Sequence, residues 1–69
     1  MRIKLFLLDT FDTSFNEKDY HIFQFVDQQS LSILTYSSTN LDQHLEVGKT
    51  YDCVVGIKKS KLYVVEVLI

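Results

Sequence analysis

The residues able to do chemistry are few, and their spacing argues against most reactions. Gly48-Lys49-Thr50 has the form of the end of a phosphate-cradling loop. The first glycine of that motif would fall at Gln43, and a chain of 69 residues is too short for the parallel α/β sheet that carries it. His21, His44 and Cys53 are the soft metal donors, but no pair has His-x-x-x-His or Cys-x-x-Cys spacing. Surface or partly buried positions are expected for the histidines. Cys53, beside Val54 and Val55, reads as a small core residue, and nothing in the spacing positions a Cys–His nucleophile pair. Asp9 and Asp12 lack the glycine and the later Glu of a calcium loop. The expectation is a protein that is not an enzyme and carries no metal or cofactor.

Charge and aromatic placement are more informative. The formal net charge is −2, the wrong sign for attraction to nucleic acid by total charge. Yet Arg2 and Lys4 lie together near the start, and Lys58, Lys59 and Lys61 lie together in one short polar run. The acids are spread more evenly, with Asp9, Asp12, Glu17 and Asp19 in one segment. The single cysteine excludes an internal disulfide framework and suits a reducing compartment. The apolar run after Arg2 is too short for a signal peptide and is interrupted by Asp9, with no cleavage site following. No stretch has the length of a membrane span. A cytoplasmic protein with no membrane contact is expected.

The elements that must position these groups are strands. Residues 2–9 alternate Ile3, Leu5 and Leu7 with Arg2, Lys4, Phe6 and Leu8, apolar on both faces towards the end, as in a long central strand or one bent across two layers. Residues 10–19 read as a polar loop that contains Phe11 and Phe15. Either these fold back over the core or they form a contact surface on a mobile arm. Residues 20–27 form a second strand, with His21, Phe23 and Phe25 alternating with Tyr20, Ile22, Gln24 and Val26. Gln28-Gln29 is expected to be a tight turn into a third strand over residues 30–36. In the connection 37–48, Asn40 with Gln43 suggests a capping box, Leu41 and Leu45 a shared helical face, and Gly48 a positive-φ stop. One or two helical turns are expected there. Residues 50–57 and 62–69 suit a pleated surface and make a hairpin. The run 58–61 lacks the glycine or asparagine of a two-residue primed turn, so a four- or five-residue loop is expected.

Five short strands this apolar on two sides should curl into a small barrel. The expected fold over residues 1–69 is therefore all-β: a five-stranded OB-like barrel with a short helical connection between strands 3 and 4. An SH3-like barrel is the alternative. The ending Leu45-Glu46-Val47-Gly48-Lys49-Thr50-Tyr51, then strand, polar turn and strand, after a polar loop behind strand one, resembles the small single-stranded-DNA-binding proteins of filamentous phages. The likeness is one of layout and covers most of the chain. Unlike that family, which is basic, this chain has a negative net charge. The resemblance implies a phage or mobile-element protein of DNA replication. It places binding on the face of strands two and three, with the loops 10–19 and 58–61 beside it.

The candidate nucleic-acid-binding residues are then Phe23, Phe25 and Tyr36 for stacking, with Arg2, Lys4, Lys58, Lys59 and Lys61 for phosphates. His21 and Ser32 belong to the same expected face. The partner would be single-stranded DNA or RNA. The opposing reading is that the aromatics are core and the lysine run is a solvated turn. A second function, from a different class, is a protein-interaction subunit that pairs an exposed strand edge with a partner or with itself. The ending Val64-Val65-Glu66-Val67-Leu68-Ile69 carries no charge block to guard such an edge, and a homodimer or a stable complex covering it is expected.

Overall fold

The computed structural model describes residues 1–40 and 43–68. It is a single antiparallel sheet of five strands: β1 (Arg2–Phe15), β2 (Lys18–Val26), β3 (Ile33–Ser38), β4 (Thr50–Lys58) and β5 (Lys61–Leu68). The order across the sheet is β3-β2-β1-β4-β5. β1 is the central strand. Its first residues pair with β4, from Arg2↔Val54 to Phe6↔Thr50, and its remainder pairs with β2. The β1–β2 register skips Leu8. The extra residue shifts the inside–outside alternation by one and bends the strand, so that Leu5 and Leu7 face inward before it and Thr10 and Asp12 after it, while Leu8 itself is 47% exposed.

The sheet curls until β3 and β5 come into contact, but no hydrogen-bonded ladder joins them. The expected closed barrel is therefore an open, curled sheet. Successive antiparallel pairings along the order make these two edge strands run parallel to each other. One buried cluster fills the concave side, built from Leu5, Leu7, Phe23, Phe25, Leu34, Leu45, Cys53, Val55, Val64 and Val67. Ile3, Tyr36, Tyr51 and Leu62 pack against it.

Three connections differ from expectation. Residues 10–19 are not a loop. β1 and β2 extend as a ladder out to Phe15↔Lys18, turned by Asn16 and Glu17 with φ of 51° and 63°. Two successive positive φ values are the signature of the primed hairpin turn that matches strand twist. The second turn does not sit on Gln28-Gln29 alone. Asp27 N donates to Ser32 O and Leu31 N to Asp27 O, Leu31 takes φ of 61°, and the Asp27 carboxylate accepts from Gln29 N and Ser30 Oγ. The β4–β5 connection, expected to be longer, is a two-residue turn, Lys59-Ser60, with φ of 50° and 63°.

No helix forms among the described residues. Leu41 and Asp42, part of the expected helical connection, lie outside them, and residues 43–49 are irregular. Their hydrogen-bonding groups serve the strands instead. Gly48 N donates to Leu7 O, Lys49 O accepts from Leu7 N, and Glu46 N donates to the Tyr51 hydroxyl at 2.8 Å. Leu45 is drawn into the core. Gly48 has the expected positive φ, 92°, which a side chain would oppose. Among the described residues no helix is long and apolar enough to cross a membrane.

Candidate nucleic-acid interface

The sheet separates the expected site into two halves. On β2 the set His21, Phe23 and Phe25 faces inward. Phe23 and Phe25 are both 0% exposed, and Tyr36 stacks on Phe23 with ring centroids 6.0 Å apart at the margin of the core. Two fully buried rings have no face to offer a base, so Phe23 and Phe25 are core residues and not stacking platforms. His21 stacks on Phe23 at 4.5 Å and meets His44 edge-on, with Nε2 3.6 Å from the Asp12 carboxylate. Ser32 precedes β3 and is exposed.

The basic residues stand on the opposite, convex face. Cys53 and Val55 point into the core, so Asp52, Val54, Gly56 and Lys58 alternate outward along β4. The register puts Lys4 opposite Asp52, Arg2 opposite Val54, Glu66 opposite Val54, Tyr63 opposite Gly56 and Lys61 opposite Lys58. Arg2 is partly neutralised, with its guanidinium 3.5 Å from the Asp52 carboxylate. From the level of Arg2 to Lys58 is roughly 13 Å along the strand. Arg2 and Lys4 therefore mark one end of the face and Lys58, Lys59 and Lys61 the other, with Glu66 level with Arg2 and Tyr63 between the two ends.

Tyr63 belongs to this surface and was not among the candidate residues. It is 44% exposed. Its ring lies over Gly56 so closely that a β-carbon there would sit 2.8 Å from Cζ and from the hydroxyl oxygen. The hydroxyl end of the ring is held against the Gly56 backbone while the residue as a whole remains close to half exposed. The available signal was the isolated Gly56 inside a strand pattern, which marks close approach of another group. Its partner, Tyr63, follows from the hairpin register.

The β4–β5 turn is unusual in two ways. Lys58 and Lys61 are directly opposed across the strands, an arrangement that destabilises a sheet. Lys59 and Ser60 both occupy left-handed conformations, which residues other than Gly, Asn and Asp adopt at a cost. All four residues are exposed, and the three lysines enter no ion pair among the described residues. By contrast, Lys49 is held 2.9 Å from Glu46, and that hydrogen bond and charge raise its pKa.

Beside this turn, where the edges of β3 and β5 approach, lies a cleft of about 500 Å³ lined by Ser32, Ile33, Leu34, Ser60, Lys61 and Leu62. At the far end of the molecule, the β1–β2 arm exposes Phe11 and Phe15, the latter 68% exposed. Asp12, Ser14 and Asp19 sit on the arm's other side, where Ser14 Oγ donates to Asp19 at 2.6 Å. No group of three His, Cys, Asp or Glu residues placed to hold a metal occurs among the described residues. Compared with protein-family models, curated proteins and solved structures, the chain matches none.

Proposed function

We propose that this chain is a single-stranded nucleic-acid-binding module whose working surface is the convex face of the β4–β5 hairpin. The observation that carries the reading is the 58–61 turn. It concentrates three cations that enter no ion pair among the described residues, opposes two of them directly and accepts two left-handed residues. Local conflict of this kind is typical of functional positions, and a polyanion resolves it. Lys58, Lys59 and Lys61 hold phosphates, and the exposed part of the Tyr63 ring takes a base, a contact worth about 1–3 kcal/mol per base. Arg2 and Lys4 extend the track but share it with Asp52 and Glu66. Affinity therefore rests on few phosphates, and the salt slope is shallow, roughly −0.7 per phosphate neutralised.

The test is a titration of fluorescein-labelled oligothymidylate by anisotropy, at low and moderate salt. Wild type binds at low salt, and the variant with Lys58, Lys59 and Lys61 all replaced by Glu does not, while both stay folded. Equal binding by the two proteins, or none by wild type, refutes this surface.

A second reading, as a protein-interaction subunit, is favoured by the arm. Phe11 and Phe15 are exposed on a hairpin that also carries Asp9, Asp12, Glu17 and Asp19. Among the described residues the facing edges of β3 and β5 have no ladder partner. Strand pairing through β5 is hindered by the register skip at Val65, since bulges disrupt edges. Val64 and Val67 already face the core, and Ile69 lies outside the described residues. On this reading the turn lysines are dispensable, and sedimentation detects a homodimer or a complex that Phe15→Ser weakens.

A further inference from the structure

We infer that the cleft between the β3 and β5 edges receives one unstacked base of the bound strand. The inference rests on the nucleic-acid reading above and adds a second base position, on the other side of the turn from Tyr63. The cleft is lined by Ile33, Leu34 and Leu62, by the hydroxyls of Ser32 and Ser60, and by Lys61. Its volume of about 500 Å³ lies within the usual range for small-molecule sites. Its chemistry is that of a base: apolar walls for the flat faces, hydroxyls for the polar edge. The facing margins of β3 and β5 add free backbone groups, because no ladder joins these strands. The charge is complementary as well. Lys61 stands at the rim beside Lys58 and Lys59, and among the described residues no acidic side chain lines the cleft. A base paired in a duplex cannot enter between two sheet edges, so the cleft also gives preference for single strands.

The test blocks the cleft without altering charge. Ser32→Cys introduces one reactive thiol at the cleft wall, while the native Cys53 is fully buried and does not compete for the reagent. The unmodified Ser32→Cys protein, which has already lost one cleft hydroxyl, is the reference against which its alkylated form is compared. After alkylation with an uncharged, bulky maleimide, affinity falls about tenfold or more, the scale on which one base contributes to binding. Binding of an abasic oligomer of equal length is unchanged by alkylation, because its phosphates still reach the lysines. A second, independent measurement uses oligomers carrying 4-thiothymidine. Photocrosslinks are expected on residues 32–34 or 60–62 as well as on Tyr63. If alkylated protein binds oligothymidylate within about twofold of unmodified protein, or crosslinks map to Tyr63 alone, the cleft assignment is overturned and the proposed function stands. If wild type binds no oligonucleotide, the proposed function fails and this inference fails with it.

Discussion

Replacing Lys61 by Glu should make the protein more stable and its nucleic-acid binding weaker. Lys58 and Lys61 face each other directly across the last pair of the β4–β5 ladder. Opposed like charges cost a sheet up to about 1 kcal/mol and opposed unlike charges contribute a similar amount. Both side chains are exposed, so solvent screening reduces the change to about 0.5–1 kcal/mol at low salt. For a domain of this size that is a rise in Tm of about 2–8 °C. Lys61→Gln, which removes repulsion without adding attraction, should fall between. Salt supplies the diagnostic. The Debye length shrinks from about 10 Å to about 3 Å between 0.1 M and 1 M, so the Tm gap between Lys61→Glu and wild type should narrow as salt is raised. In the anisotropy titration the same variant should bind more weakly, with the salt slope reduced by about 0.7 for each phosphate no longer neutralised. A Tm for Lys61→Glu at or below wild type at low salt would refute the strained-turn argument. Unchanged affinity would refute its functional use.

Two further outcomes follow from burial. Phe23→Ala should cost about 3–5 kcal/mol. At about 0.05–0.15 kcal/mol per residue, a 69-residue chain has roughly 3–10 kcal/mol in total, so urea unfolding followed by circular dichroism should show a large part of the stability lost, whereas Phe23→Leu loses less and binds oligonucleotide as wild type does. The Cys53 thiol is pushed from its ordinary 9.0 up to about 11, first by burial and then by the neighbouring Asp52 charge. Between pH 9 and 11 the unfolded chain therefore releases this proton while the folded chain keeps it, and stability falls with rising pH. Urea midpoints across that window should decline more steeply for wild type than for Cys53→Ala.

The strand count and the paired sets of side chains were legible in the sequence. His21, Phe23 and Phe25 do share one face of β2, and Leu34 and Tyr36 share the corresponding face of β3. What sequence left open was which face looks inward. Ile22 and Val26 make the other set apolar too, and only the sheet's curl decides between them. The layout resemblance favoured Phe23 and Phe25 as a binding surface, and the need to fill a small core overrode it. The arm was hidden because Asp12, Ser14 and Asp19 are turn-forming types, yet here they hold one side of a ladder whose other side carries Phe11, Phe15 and Tyr20. Both two-residue turns escaped for one reason. Neither Asn16-Glu17 nor Lys59-Ser60 contains the glycine that normally announces a primed turn. The lysine half of the site was visible as composition, but Tyr63 needed the register that sets it over Gly56.

The division of β1 between two partners has a kinetic side. Its outer half pairs with β2, next along the chain, and this hairpin can form as soon as both strands exist. Its first residues pair with β4, and Arg2 must find Val54 across most of the sequence. Until that long-range closure occurs, Leu5 and Leu7 lack the cover of Cys53, Val55 and Val64. The β1–β2–β3 meander and the β4–β5 hairpin should therefore appear early, with their docking along the start of β1 as the slow step, since non-local pairings set folding rates. Substitutions at Leu5 or Cys53 would then slow refolding, whereas changes at the tip of the arm would leave the refolding rate almost untouched.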